Sequence, residues 1–324
     1  LLFAPLPRRL PGFSWIKAFF GAEENPDHLA MLRDGQTAMK ARLFDRVDLS
    51  RVSRAMDFGC GFATDLIDLA QRNPGLVGRG FTIAPAQAAV AAERVAAAGL
   101  DGRVEILPRD SARDDMGGPY DLMLGFEVSF HVADKQGLFA NIARNLAPNG
   151  DLLLIDCIAE TAAEIAVPEI GQYTPTATQF AEILATHGLA VVAAEDASGG
   201  IANFLHDPDF ERHLDELHER IPALAARAAE HRGWERFGEA LSLGLIRYLL
   251  LHLRKDDRQA ADLAAHNRAL FADAPAYGAP RPTIRTAQAP RVPAGGSVED
   301  RIAASIAALQ DLPLDRVRRQ ARFA

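Results

Sequence analysis

Residues 55–70 read AMDFGCGFATDLIDLA. A short apolar run closes on Asp57, Gly59 and Gly61 flank Cys60, and Leu66, Leu69 and Ala70 then recur at helical spacing. That order is a strand, a tight turn and a helix. Paired glycines let the backbone adopt unusual dihedrals and pass close to a ligand. A dinucleotide loop, G-x-G-x-x-G, would place its third glycine at 64, where this chain has Thr64, and Ala63 stands where the loop's third glycine is usually drawn. Taken alone, the stretch is a nucleotide-like turn and a weak signal, with a strand-helix turn that holds no ligand as the lesser alternative.

The same rhythm continues outward. From 54 to 195, the short apolar segments RAMDFG, LVGRGFTI, VEILPRD, YDLMLGFE, DLLLIDCIA and LAVVAAED alternate with amphipathic stretches such as PAQAAVAAERVAAAG and KQGLFANIARNLA. Alternation of this kind predicts an α/β fold, a doubly wound, Rossmann-like and mainly parallel sheet. Residues 1–50 read as a helical N-terminal lid segment with Asn25 as a helix cap, ahead of a 51–196 core. Residues 197–275 read as three helices and no strand, a helical lid subdomain. Residues 276–296 are rich in Pro, Gly and Ala without periodicity, a linker; SVEDRIAASIAALQDLPLDRVRRQARFA, at 297–324, then opens an amphipathic helix.

Bulk properties narrow the partners. A net charge of -8 argues against a phosphate-tracking surface and hence against nucleic acid. Two cysteines, Cys60 and Cys157, in 324 residues do not suggest a disulfide framework and fit a reducing, cytoplasmic setting. The longest apolar run, around Leu249–Leu251, is too short and too charged to cross a bilayer, and LLFAPLPRRLPGFSW lacks a signal-peptide pattern and reads as a domain edge.

Polar residues gather at the ends of the predicted strands, where open sheets place their ligands. The second strand ends in GFTIAPAQ, with Thr82 and Gln87; the third is followed by PRDSARDD, with Asp110 and Ser111. Gln87 is otherwise a solvated residue of a first helical turn, and Asp110 otherwise a helix cap. The fourth strand leads through Phe126 into GFEVSFHVADKQ, with Glu127 and His131 four residues apart, and the fifth carries Asp156 in LLLIDCIA. A histidine titrates near neutrality and can take a proton from a hydroxyl, and a neighbouring carboxylate can orient it. Glu127 and Asp156 compete for that task. Tyr173, Trp15, Tyr248 and Arg247 are candidates for lining a cavity, with core packing the favoured reading of each. The histidines show no metal-ligand spacing, and no metal is expected.

These stretches together resemble class I S-adenosylmethionine-dependent methyltransferases, and over residues 30 to 275 the O-methyltransferase domains of modular type I polyketide synthases. The resemblance implies S-adenosylmethionine as cofactor and S-adenosylhomocysteine as product. It places Asp57, Gly59, Cys60 and Gly61 at the amino-acid half of the cofactor, Thr82 and Gln87 at the ribose, and Asp110 and Ser111 at the adenine, with Phe126 alongside. The ribose position normally carries an acid; Thr82 there resembles the branch containing cyclopropane fatty acid synthases. The tail resembles the first helix of an acyl carrier protein. The implied partners are a carrier with a phosphopantetheine-linked acyl chain and flanking synthase domains. The implied reaction is methylation of a β-hydroxyl with His131 as general base. C-methylation of a carrier-bound β-ketoacyl chain at its α-carbon, a silent scaffold domain, and a methyltransferase for free small molecules are the rivals.

Overall fold

A computed structural model describes residues 2–283. Parallel strands β1 (Arg54–Asp57), β2 (Val77–Thr82), β3 (Val104–Pro108), β4 (Tyr120–Phe126), β5 (Leu146–Ala159) and β8 (Leu189–Asp196) form one sheet with β9 (Ile246–Lys255). Their spatial order is β3-β2-β1-β4-β5-β9-β8, and β9 runs antiparallel to both neighbours. A two-stranded hairpin, β6 (Ile165–Val167) and β7 (Gln172–Thr174), leaves the sheet after β5. The helices are α1 (Trp15–Phe19), α2 (Pro26–Phe44), α3 (Thr64–Arg72), α4 (Pro85–Ala97), α5 (Lys135–Asn145), α6 (Ala177–Thr186), α7 (Ser198–Phe204), α8 (Phe210–Arg220), α9 (Ala228–Ser242) and α10 (Ala260–Ala272). The expected α/β, doubly wound, mainly parallel sheet is present.

Strand alternation divides the core in two. Ala55, Leu122, Leu124, Leu153, Ile155, Tyr248 and Leu250 point to one face and pack with α2, α3, α4 and the lid helices. Met56, Met123, Leu152, Leu154, Leu249 and Leu251 point to the other and pack with α5, α6 and α10. Successive side chains of a strand face opposite ways, so every central strand serves both cores. Each fully buried leucine contributes about 1.5–3 kcal/mol relative to exposure.

Helix starts follow local chemistry. Asn25 caps α2, its side-chain oxygen accepting from Asp27 N at 3.0 Å and His28 N at 3.4 Å, with Pro26 opening the helix. Thr176 and Gln179 form a capping box at α6.

One boundary differs from the sequence reading. Residues 197–275 contain a strand: β9 occupies 246–255, wedged between β5 and β8 with Leu250 opposite Ile155. LIRYLLLHL is buried on both faces, so it lacks the alternation that marks a half-exposed strand and can be mistaken for a helix. The following helix, α10, packs on α6 and β8 rather than in a lid. α7–α9 pack with the N-terminal segment. The expected linker also begins later. Asp196 N donates to Pro275 O at 2.8 Å and Tyr277 N to Asp196 O at 2.7 Å, and Leu1–Pro282 is one compact unit. The remainder of the linker and the carrier-like helix lie outside the described residues. Among the described residues, no helix is long and apolar enough to cross a membrane.

Candidate active site

The carboxyl ends of β1, β2, β3 and β4 are neighbours along one edge of the sheet, which brings Asp57, Thr82, Arg109–Ser111 and Phe126–His131 together. At β1, Asp57 is buried and its Oδ1 accepts from Gly59 N at 3.1 Å. Burial, aided by the nearby Asp65 carboxylate, pushes its pKa up to about 8. No described cation bonds to it, so a cationic ligand group here would let it ionise.

The glycines of the turn have different jobs. A methyl at Gly59 would sit 2.1 Å from Val128 Cγ2, so this glycine admits the loop that follows β4. Gly61 has φ +49°, and a methyl there would meet nothing within 4 Å: this is the open part of the cradle. Ala63 is fully buried and left-handed, with φ 59°. The missing third glycine is therefore a conformational departure of about 1–2 kcal/mol as well as a methyl group. Cys60 points away, toward β2, where a methyl on Gly80 would lie 2.7 Å from its Sγ. Burial pushes the Cys60 thiol up and leaves it unreactive. Its side chain thus departs from the expected ligand role; only its backbone belongs to the loop.

Thr82 and Gln87 are brought together, Thr82 Oγ1 donating to Gln87 Oε1 at 2.9 Å, which leaves the Gln87 amide donors available. Beside them Ile83 is 80% exposed, an apolar side chain at a strand end that a flat ligand ring would cover. Asp110 Oδ1 accepts from Ala112 N at 2.9 Å in an Asx turn, with no helix following it, while Oδ2 sits 3.7 Å from Arg113 Nε. Ser111 is buried, its hydroxyl donating to Phe58 O, so only its backbone can face a ligand. Phe126 meets the edge of Phe44 at 5.9 Å.

His131 ends the 3-10 turn Ser129–His131 and keeps solvent access at the mouth of the site. Its Nδ1 lies 3.2 Å from Gly171 O, in the hairpin. A carbonyl only accepts, so Nδ1 carries the proton and Nε2 presents a lone pair. Phe130 lies 4.5 Å away and Trp234 5.8 Å away, centroid to centroid. The protein packed round the ring lowers its pKa, and its neutral form persists below the ordinary histidine range.

The expected carboxylate partner is absent from the imidazole in both cases. Glu127, left-handed at φ 58°, accepts from Phe3 N at 3.0 Å and from the Tyr248 hydroxyl; burial pushes it up to about 7. Asp156 accepts from the Ser129 hydroxyl and from Cys157 N at 2.7 Å, and burial raises its pKa. Both acids are consumed by the walls of the site, and the Gly171 carbonyl orients His131. Lys135 completes that wall, Nζ donating to Ser129 O at 2.8 Å and Val132 O at 2.7 Å. Gly171 and Trp234 escaped the sequence reading because the topology alone carries them to His131; Lys135, four residues on, escaped it because its partners are backbone carbonyls.

Of the cavity candidates, Trp15 is buried and donates to Glu235 Oε2 at 3.0 Å, and Arg247 is buried against Asp196. Both pack rather than line. Tyr248 reaches the site through Glu127, and Tyr173 is 39% exposed. Among the described residues, no group of three or more His, Cys, Asp and Glu is placed to hold a metal.

The Gly59 contact makes a direct prediction. G59A drives a methyl into Val128, three residues before His131, and costs about 1–3 kcal/mol. Adding V128A to it recovers most of that loss; urea unfolding midpoints of the two variants check it, and an unshifted midpoint in G59A would contradict the contact.

Residues 56–152 match the family described as "Methyltransferase domain". The O-methyltransferase from a trans-AT polyketide synthase multienzyme of Brevibacillus brevis, solved with S-adenosyl-L-homocysteine, superposes with a TM-score of 0.79 at 33% identity. The match covers 88% of this chain and 99% of that one. The chain belongs to this family of polyketide synthase O-methyltransferase domains. A second solved structure of the family, the StiE O-MT, gives a TM-score of 0.74 at 36% identity, covering 86% of this chain and 94% of that one. Polyketide synthase ThaQ of Burkholderia thailandensis is 41% identical over 258 residues, 80% of this chain; the chain spans 12% of that relative's length. This polyketide synthase O-methyltransferase domain thus has the S-adenosylmethionine-dependent methyltransferase fold. The open Gly61 cradle, the unpaired Asp57 and the exposed Ile83 fit such a cofactor.

Proposed function

We propose that the domain methylates the β-hydroxyl of an acyl chain tethered to an acyl carrier protein, with His131 as general base and without a metal. The observation that carries this reading is the Nδ1 contact of His131 with Gly171 O, which leaves Nε2 basic at the open mouth of the strand edge. Asp57 would hold the cofactor's ammonium group, the Gly59–Gly61 backbone its amino-acid half, Thr82 and Gln87 its ribose, and Asp110 with the Ser111 backbone its adenine, over Ile83. Phe126 would flank it.

Bound S-adenosylmethionine supplies an electrophilic methyl group on a sulfonium. His131 Nε2 accepts the hydroxyl proton as the oxygen acquires the methyl carbon, and the imidazolium then releases that proton to solvent. The Gly171 carbonyl steadies the ring throughout, and the aromatic side chains of Phe130 and Trp234 pack beside it. Much of the acceleration then comes from positioning two reactants that are intrinsically competent.

The carrier and flanking synthase domains are the proposed partners in a cytoplasmic setting, with residues 1–50 and 197–245 as lid. The alternative is methylation at the α-carbon of a carrier-bound β-ketoacyl chain. Incubation with S-adenosylmethionine and each acyl carrier in turn separates them by mass. The β-hydroxyacyl carrier should gain one methyl and the β-ketoacyl carrier none. The reverse outcome would replace this reading with C-methylation.

A further inference from the structure

The amino-acid end of S-adenosylmethionine has a carboxylate as well as an ammonium group, and Asp57 answers only the second. The fold brings a cation to the same corner. Lys40, in the fourth turn of α2, reaches across to α3 and places Nζ 2.7 Å from Asp65 Oδ1. Lys40 and Asp65 are 22% and 19% exposed, so neither is a freely solvated surface charge. Both lie near enough to Asp57 to act on its ionisation, Asp65 raising it and Lys40 lowering it. Asp65 stands two residues after left-handed Ala63 and four after the open Gly61 cradle.

We propose that Lys40 is a cofactor-binding residue that pairs with the α-carboxylate of S-adenosylmethionine, with Asp65 holding its ammonium group in place. The assignment rests on the methyltransferase reading above. An ammonium group has three donors, and the Asp65 contact uses one of them. Two remain for a ligand carboxylate without breaking the ion pair. Charge balance agrees. With Asp57 ionised, Asp57, Asp65 and Lys40 sum to one negative charge. The cofactor, with ammonium, carboxylate and sulfonium, carries one positive charge. Its demethylated product is neutral, so the attraction weakens once the methyl has been passed on, which favours product release.

The assignment also gives the N-terminal segment a role beyond cover. α2 buries Leu32, Met39, Leu43 and Phe44 in the core, so Lys40 is held over α3 by packing as well as by its ion pair with Asp65.

The test is calorimetric and independent of turnover. Wild-type protein, K40M and K40R are titrated with S-adenosylmethionine and with decarboxylated S-adenosylmethionine, which keeps the ammonium and sulfonium but lacks the carboxylate. K40M should bind S-adenosylmethionine about 10- to 100-fold more weakly than wild type, the worth of one charge-assisted hydrogen bond. Its effect on the decarboxylated ligand should be several-fold smaller, confined to what Lys40 does to the ionisation of Asp57, and K40R should recover most of the loss. If K40M weakens both ligands alike, Lys40 merely tethers α2, and the assignment is wrong. If it weakens neither, the carboxylate is held elsewhere, and the assignment is wrong again. Failure of the wild-type protein to bind S-adenosylmethionine at all would instead overturn the methyltransferase reading itself.

Discussion

H131A is expected to lower turnover by about 10²- to 10⁴-fold, the range for loss of a general base, while the dissociation constant for S-adenosylmethionine stays unchanged. The two readouts divide because His131 lies beyond the end of β4, across the site from Asp57 and the Thr82–Gln87 pair, and bonds to Gly171 instead of to the cofactor cradle. H131Q sharpens the test. A glutamine amide can still donate to the Gly171 carbonyl, so the hairpin contact survives, but it offers no basic lone pair. H131Q should therefore be as slow as H131A and as stable as wild type. The pH profile carries the sign. The base must be neutral, and the packed surroundings lower its pKa, so wild-type activity holds above that pKa and falls as pH drops through it. That acid limb lies below the ordinary histidine value of about 6.5. It should vanish in both variants, leaving a slow, pH-independent rate. An H131A enzyme within a few fold of wild type would remove His131 from the mechanism.

That Asp57, Thr82 and Asp110 would meet along one edge of the sheet was legible in the sequence because each stands with its neighbours at a strand end. Asp57 to Gly61, Thr82 to Gln87 and Asp110 to Ser111 each sit within six residues at one strand end, and parallel pairing of β1, β2 and β3 does the rest. What surrounds His131 was not legible, for two physical reasons. Gly171 arrives on a two-stranded excursion whose strands are three residues each, too short to leave a periodic trace. Glu127 and Asp156 have the right chemistry and the right spacing, yet their partners, Phe3, Tyr248 and Ser129, come from the N-terminal segment, β9 and the loop itself. A carboxylate near a histidine in sequence orients it only if nothing nearer claims the carboxylate first. β9 was missed for the complementary reason. A strand buried on both faces has no period of two, and its run of leucines reads equally well as one face of a helix.

β9 is also where the largest stability effect is expected. Arg247 is 2% exposed and donates through Nε to Asp196 Oδ2 at 2.8 Å and through Nη1 to Phe271 O at 2.6 Å. Its carboxylate partner is fully buried at the end of β8. The same oxygen of Asp196 lies 3.6 Å from Arg281 Nε, beyond the end of α10, and Glu160 Oε1 sits 3.2 Å from Arg281 Nη2 and 3.4 Å from Arg247 Nη1. The Arg247 guanidinium thus links β9 to the end of β8 and to Phe271 of α10, and shares Asp196 and Glu160 with Arg281. R247M fits a similar volume and keeps the packing of the side-chain stem, but it takes away the main cation facing Asp196. Breaking a buried pair by removing one partner costs about 3–5 kcal/mol, because the remaining charge stays desolvated. Arg281 and the Ser198 contacts offset part of that, since Ser198 N donates to Asp196 Oδ1 at 2.9 Å. The D196N change in the R247M background should restore stability relative to R247M alone, because no buried carboxylate then goes unanswered. Urea unfolding of the single and double variants measures both steps. If R247M lies within about 1 kcal/mol of wild type, a margin typical of surface substitutions, then packing alone holds β9 between its neighbours and the ion pair is dispensable.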